Sequence, residues 1–198
     1  MTKDAQGIEG DLGPRQAGIR RLVLPALFAA LISAGAIISF PLPGSPVPIV
    51  LQNLMAVLAG LLLGPAEGGF AVLLFLLLGA LGFPVFSGGH GGLAWLAGPT
   101  GGYLAGYLVA AIVAGLISRF RNILMIALAS ALGFLLILAI GVIRLKALRG
   151  SEWSVALAGG LLPFLPGDAI KAVVAAILGW RLGPFMDRLR DPKFTEPD

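Results

Sequence analysis

An all-α membrane protein, a bundle of six transmembrane helices in one domain, is the fold class this sequence predicts. Three observations predict it. The chain is 58% hydrophobic and only 12% charged, with a mean hydropathy of +0.95, outside the balance of soluble domains. Its apolar runs follow one another with short gaps from Leu22 to about Met186. The loops between them are rich in proline and glycine rather than charge.

The six segments are Leu22 to Ser39, Ile49 to Leu63, Gly68 to Leu81, Gly101 to Ser118, Ile123 to Ile143 and Asp168 to Met186. Residues 1–21 and 187–198 read as short polar tails around a transmembrane domain at 22–186. Basic Arg15, Arg20 and Arg21 precede the first run as in a secretion signal. The run is too long for a signal core, and a Pro-rich stretch rather than a small-residue cleavage site follows it. A bilayer core of about 30 Å takes roughly 20 helical residues, and the second and third segments fall short of that. The loops Pro41 to Pro48, Phe83 to Pro99 and Trp153 to Gly167 are apolar enough to cover their ends. Non-helical backbone at that depth persists only where it is buried in protein or lines a cavity, so these loops point to a pocket.

Lys and Arg give the orientation. Lys3, Arg15, Arg20, Arg21, Arg119, Arg121, Arg181, Arg188, Arg190 and Lys193 fall on one side of this topology, against Arg144, Lys146 and Arg149 on the other. The positive-inside rule therefore puts both termini in the cytoplasm and the three loops outside. The net charge of +4 comes from helix ends rather than from one basic stripe, which argues for membrane lipid and against nucleic acid as its partner.

Chemistry is excluded as well as suggested. With no cysteine there is no disulfide, thiolate metal site or cysteine nucleophile. His90 is the single histidine, which removes a multi-histidine metal site. No Gly-Lys-Ser or Gly-Lys-Thr occurs, so the chain has no P-loop; His-Glu-x-x-His and Gly-x-Ser-x-Gly are also missing. No cofactor is implied.

The sharpest polar signal is Asp168 with Lys171, three positions apart at the start of an apolar helix and so on one face of it. Ionisable residues inside membrane segments are costly and mark sites. A helix cap with a structural ion pair is the other reading. Gln52 and Asn53 follow the Pro-rich loop, either as ligand-binding amides or as interhelical hydrogen-bond partners. Glycines around His90, including Gly91 and Gly92, and the run Gly98-Pro99-Thr100-Gly101-Gly102-Tyr103 permit close backbone approach to a ligand. Ala26, Ala30 and Ala34 form a small-residue ridge on the first helix, fit for packing within the chain or for docking a separate subunit.

These motifs in order, from Pro41-Leu42-Pro43-Gly44-Ser45-Pro46-Val47-Pro48-Ile49 with Leu51-Gln52-Asn53, through Ala59-Gly60-Leu61-Leu62-Leu63-Gly64-Pro65 and Gly98 to Tyr103, to Pro163-Phe164-Leu165-Pro166-Gly167-Asp168 with Lys171, closely resemble the BioY family. The likeness spans about Ala26 to Ala176. That family supplies the biotin-binding S components of energy-coupling factor (ECF) transporters. The resemblance implies a six-helix S-component bundle in the cell membrane, a pocket near the outer face, and as partners a transmembrane T component and two cytosolic ATPase subunits. It places Asp168, Lys171 and Asn53 in the pocket and makes Ala26, Ala30 and Ala34 the docking surface. Biotin has an apolar ring and tail, a ureido group and a carboxylate, so its pocket needs few polar groups. Asp168 is expected to accept ureido hydrogens, Lys171 to supply charge or a donor, and Tyr103 to pack the rings. The chain departs from the family pattern at Arg144, where a tryptophan is common; the aromatic contact there is either missing or replaced by Trp153. An S component for another vitamin, or a membrane enzyme or assembly factor without a ligand, are the competing readings, and the second lacks a nucleophile, base and orienting group at any recognisable spacing.

Overall fold

The computed structural model describes residues 22–43 and 45–190. Lys3, Arg15, Arg20, Arg21, Gly44 and Lys193 lie outside the described residues, as does the side chain of Arg190. The described chain is mostly helical. Its elements are α1 (Leu22–Ala34), β1 (Ser39–Phe40), β2 (Ile49–Val50), α2 (Gln52–Ala80), α3 (Leu93–Ala97), α4 (Gly101–Ser118), α5 (Ile123–Arg149), α6 (Trp153–Gly160) and α7 (Leu165–Arg190). Four of these helices, α2, α4, α5 and α7, are long and apolar enough to cross a membrane.

The expected second and third segments are joined in α2, but not as one straight rod. Gly64 sits at φ 78° and ψ −179°, a conformation essentially confined to glycine, and Pro65 follows with its φ already set for a helix start. The chain reverses there. A Cβ added to Gly68 would lie 2.6 Å from the carbonyl oxygen of Ala59, whereas nine residues of straight helix would separate them by about 13.5 Å.

Helix–helix contact in a bilayer gains little from the hydrophobic effect and rests on close fit. Small residues supply that fit. Ala56, Ala59, Ala110, Ala111, Ala114 and Ala129 are completely buried, and a Cβ on Gly60 would come within 2.1 Å of the Ala111 carbonyl oxygen, so α2 and α4 meet backbone to backbone. Along α5 the buried positions Ile126, Ala129, Gly133, Ile137, Gly141 and Leu145 recur every three or four residues. Leu124, Leu128, Leu135 and Ile143 between them are exposed and equally apolar. A helix apolar on both faces is suited to protein on one side and lipid on the other. Ser130 Oγ donates to the Ala172 carbonyl at 2.8 Å and ties α5 to α7.

The differences from the sequence reading concern boundaries. The first helix ends at Ala34 rather than at Ser39, and Gly35 beyond it packs on the start of α2, where an added Cβ would stand 3.0 Å from the Gln52 amide nitrogen. The helix expected to stop at Ile143 continues to Arg149, because Arg144, Lys146 and Arg149 are good helix formers; left-handed Gly150 (φ 58°) ends it. The last helix starts at Leu165 and continues to Arg190, beyond Met186. The Pro-rich loop, expected to be irregular, is framed by a short antiparallel ladder pairing Ser39 with Val50 and Phe40 with Ile49.

Candidate functional site

The starts of α2, α4 and α7 converge with the later part of α5 at one end of the bundle, under the Pro-rich loop. They enclose a cavity lined by Val47, Pro48, Val50, Gln52, Asn53, Phe86, Ser87, Thr100, Tyr103, Leu104, Tyr107, Ile137, Leu138, Phe164, Asp168 and Lys171. The volume open to the centre of a water molecule is about 40 Å³, and all the empty space between the lining atoms, open solvent included, is about 520 Å³.

A polar cluster stands in this wall. Lys171 Nζ donates to the Val50 carbonyl at 2.8 Å, to Asp168 Oδ1 at 2.9 Å and to Asn53 Oδ1 at 3.0 Å, which uses all three ammonium donors. Asn53 Nδ2 donates to Asp168 Oδ1 at 2.9 Å. The ion pair is well shielded, with Lys171 and Asp168 side chains 14% and 6% exposed, so its members must satisfy one another or be costly. Asp168 Oδ1 accepts both bonds, which leaves Oδ2 without a partner among the described residues. The cluster is neutral overall and spends its positive charge internally. Both Asp168 and Lys171 nonetheless line the cavity, which a capping pair facing away from it would not.

An aromatic wall faces the cluster. Tyr103 packs near Phe164, with ring centroids 6.3 Å apart, and donates its hydroxyl to the Gly160 carbonyl at 2.7 Å. Tyr107, one turn further along α4, stacks on Phe75 at 6.4 Å, and Phe75 meets Phe86 edge to face at 5.5 Å. Gln52 Nε2 donates to the Val85 carbonyl at 2.8 Å and anchors the Phe83 loop beside the cavity. Thr100 Oγ1 makes a long contact with the Trp95 carbonyl at 3.5 Å.

The structure thus brings Gln52, Asn53, Thr100, Tyr103, Asp168 and Lys171 together. Gly91 and Gly92 are elsewhere: the Gly92 amide donates to the Gly79 carbonyl at 2.6 Å, and a Cβ on Gly91 would lie 2.3 Å from the Phe83 carbonyl oxygen. Gly92 pins the glycine loop to α2 and Gly91 packs on the turn after it, and neither lines the cavity. Trp153 is exposed beneath Lys146, whose Nζ lies 4.9 Å from the ring centroid, and it does not replace a cavity aromatic. Tyr107 and Phe164 join the wall without having been singled out by sequence, although each stands one helical turn from a residue that was, Tyr103 and Asp168 respectively. The Val50 carbonyl has no sequence signal at all. Ala26, Ala30 and Ala34 are all exposed on the outside of the bundle, so the ridge is not used for packing within the described chain.

A mostly helical, lipid-adapted bundle with a small, mainly apolar cavity and a polar cluster in its wall defines a membrane-embedded binder of a partly polar small molecule. The chain belongs to the BioY family, whose sequence pattern matches residues 5–188. It is 45% identical to "Biotin transporter BioY" of Rhizobium etli over 170 residues, covering 81% of this chain and 91% of that protein. It is 42% identical to "Probable biotin transporter BioY" of Pyrococcus horikoshii, covering 82% and 96%. Its fold matches the crystal structure of the S-component for biotin from an ECF-type ABC transporter with a TM-score of 0.77 at 29% identity, covering 92% of this chain and 94% of that one.

Proposed function

We propose that this chain is the biotin-binding S component of a vitamin importer of the cell membrane. It captures biotin at the outer face and delivers it inward when coupled to a T component and two cytosolic ATPases. The observation that carries the reading is the neutral Asn53–Asp168–Lys171 cluster in the wall of an otherwise apolar cavity, in a chain of the BioY family. The free Oδ2 of Asp168 accepts a ureido N–H, Asn53 and Lys171 hold that carboxylate in place, and Tyr103 with Phe164 packs the ring.

The finer topology is part of this proposal. Counting α2 as two spans on either side of Gly64 gives six spans, with both termini cytoplasmic by the positive-inside rule. The outward Ala26, Ala30 and Ala34 ridge offers the T component a surface for close helix approach. Without a P-loop of its own, the chain depends on its partners for ATP hydrolysis. Biotin binding to the purified full chain in detergent tests the reading: saturable, tight binding in preference to other vitamins supports it. A preference for another vitamin would reassign the substrate, and absence of any vitamin binding would reject it.

A further inference from the structure

Most donors of the polar cluster are already engaged, and only the second N–H of Asn53 Nδ2 has no partner among the described residues. The three Lys171 protons go to Val50, Asn53 and Asp168, and the Tyr103 hydroxyl goes to Gly160. A cyclic urea presents two N–H donors and also a strongly accepting carbonyl oxygen, so a cavity that takes it needs a free donor as well as the carboxylate of Asp168. Tyr107 supplies one. It is buried, it lines the cavity, and among the described residues its hydroxyl has no hydrogen-bond partner, whereas Tyr103 one turn away on the same helix does. Its ring is held in place by the stack on Phe75, which is itself fully buried. The hydroxyl is not sealed off among the packed atoms but belongs to a residue that lines the cavity, and a ligand acceptor there gives it a partner.

We propose that the Tyr107 hydroxyl donates to the ureido carbonyl oxygen of the bound ligand and so completes a recognition set in which Asp168 reads the N–H side of the same group. This rests on the biotin reading above. Tyr107 then acts as a specificity residue, selecting a cyclic urea over rings of the same shape that lack a strong acceptor at that point.

The test compares biotin with 2′-thiobiotin, whose C=S is a poor acceptor of nearly the same shape, on wild type and Tyr107→Phe in detergent. Wild type should prefer biotin. The substitution should weaken biotin binding by about tenfold or more, as expected for losing a buried ligand hydrogen bond, and leave thiobiotin affinity within about twofold, which removes the preference. The melting temperature of the unliganded chain should hold or rise, since no protein hydrogen bond is deleted. An intact preference in Tyr107→Phe would overturn this inference and leave the biotin reading standing. Equal weakening of both ligands together with a lowered melting temperature would also overturn it, by making Tyr107 a packing residue. Failure of the wild-type chain to bind biotin would reject the functional reading and this inference with it.

Discussion

Two ends of the same bundle carry an ion pair each, and they are built differently. At the cavity end Lys171 and Asp168 are shielded, share Asn53 and the Val50 carbonyl, and close a network in which each member depends on the others. About 27 Å away along α4, Arg121 pairs with Asp187 between the turn before α5 and the end of α7, with side chains 33% and 46% exposed. Water competes for the second pair and not for the first. Opposite charges in a membrane bundle are therefore no guide to energetics until their surroundings are known: the first pair is costly to break, and the second is worth little.

Asp168→Ala should break that contrast most severely. It leaves the Lys171 ammonium shielded without a counter-charge, a loss of about 3–5 kcal/mol for one member of a buried pair, seen as a lowered melting temperature and abolished biotin binding. Gly141→Ala comes next. A Cβ there would stand 2.3 Å from the Tyr103 ring, so the aromatic wall must shift, at about 1–3 kcal/mol of stability together with weaker ligand binding, while the polar cluster is untouched. Tyr103→Phe removes the bond to the Gly160 carbonyl and should lower stability by about 1 kcal/mol in a denaturation series. Asp187→Asn sharpens the comparison from the other side. Stability should change by less than about 1 kcal/mol and biotin affinity should stay within experimental error; a loss as large as that of Asp168→Ala would show that the two pairs are not so different after all.

The cavity cluster is legible in sequence because charge inside an apolar run is expensive: Asp168 and Lys171 stand out for that reason, and Asn53 for its place after the Pro-rich loop. The same logic misleads at the helix ends. Arg144, Lys146 and Arg149 look like loop because charge leaves the membrane, yet a helix does not have to stop where the bilayer does, and α5 carries all three. The third acceptor of Lys171 is a main-chain carbonyl, which any residue at position 50 would offer, and so no residue type could announce it. Tyr107 is hidden differently: an aromatic in an apolar helix looks like lipid-facing bulk until its neighbours show which way it points. Gly64-Pro65 lies in view within a recognisable motif, but the hairpin it makes depends on Gly60, Gly68 and Gly115 meeting backbone, and such fits are a property of pairs of helices rather than of one stretch of chain.

The outward alanines of α1 have one more consequence. Methyl-sized side chains stand beside exposed Val23, Leu27 and Leu31 on this face, and in a membrane the space above them is filled by acyl chains. A helix that settles there evicts lipid rather than water, so the exchange trades one greasy neighbour for another and gains only through shape. Under the proposed docking, attachment governed by contour alone is readily undone, and a single bulky side chain at Ala30 would be enough to spoil the fit.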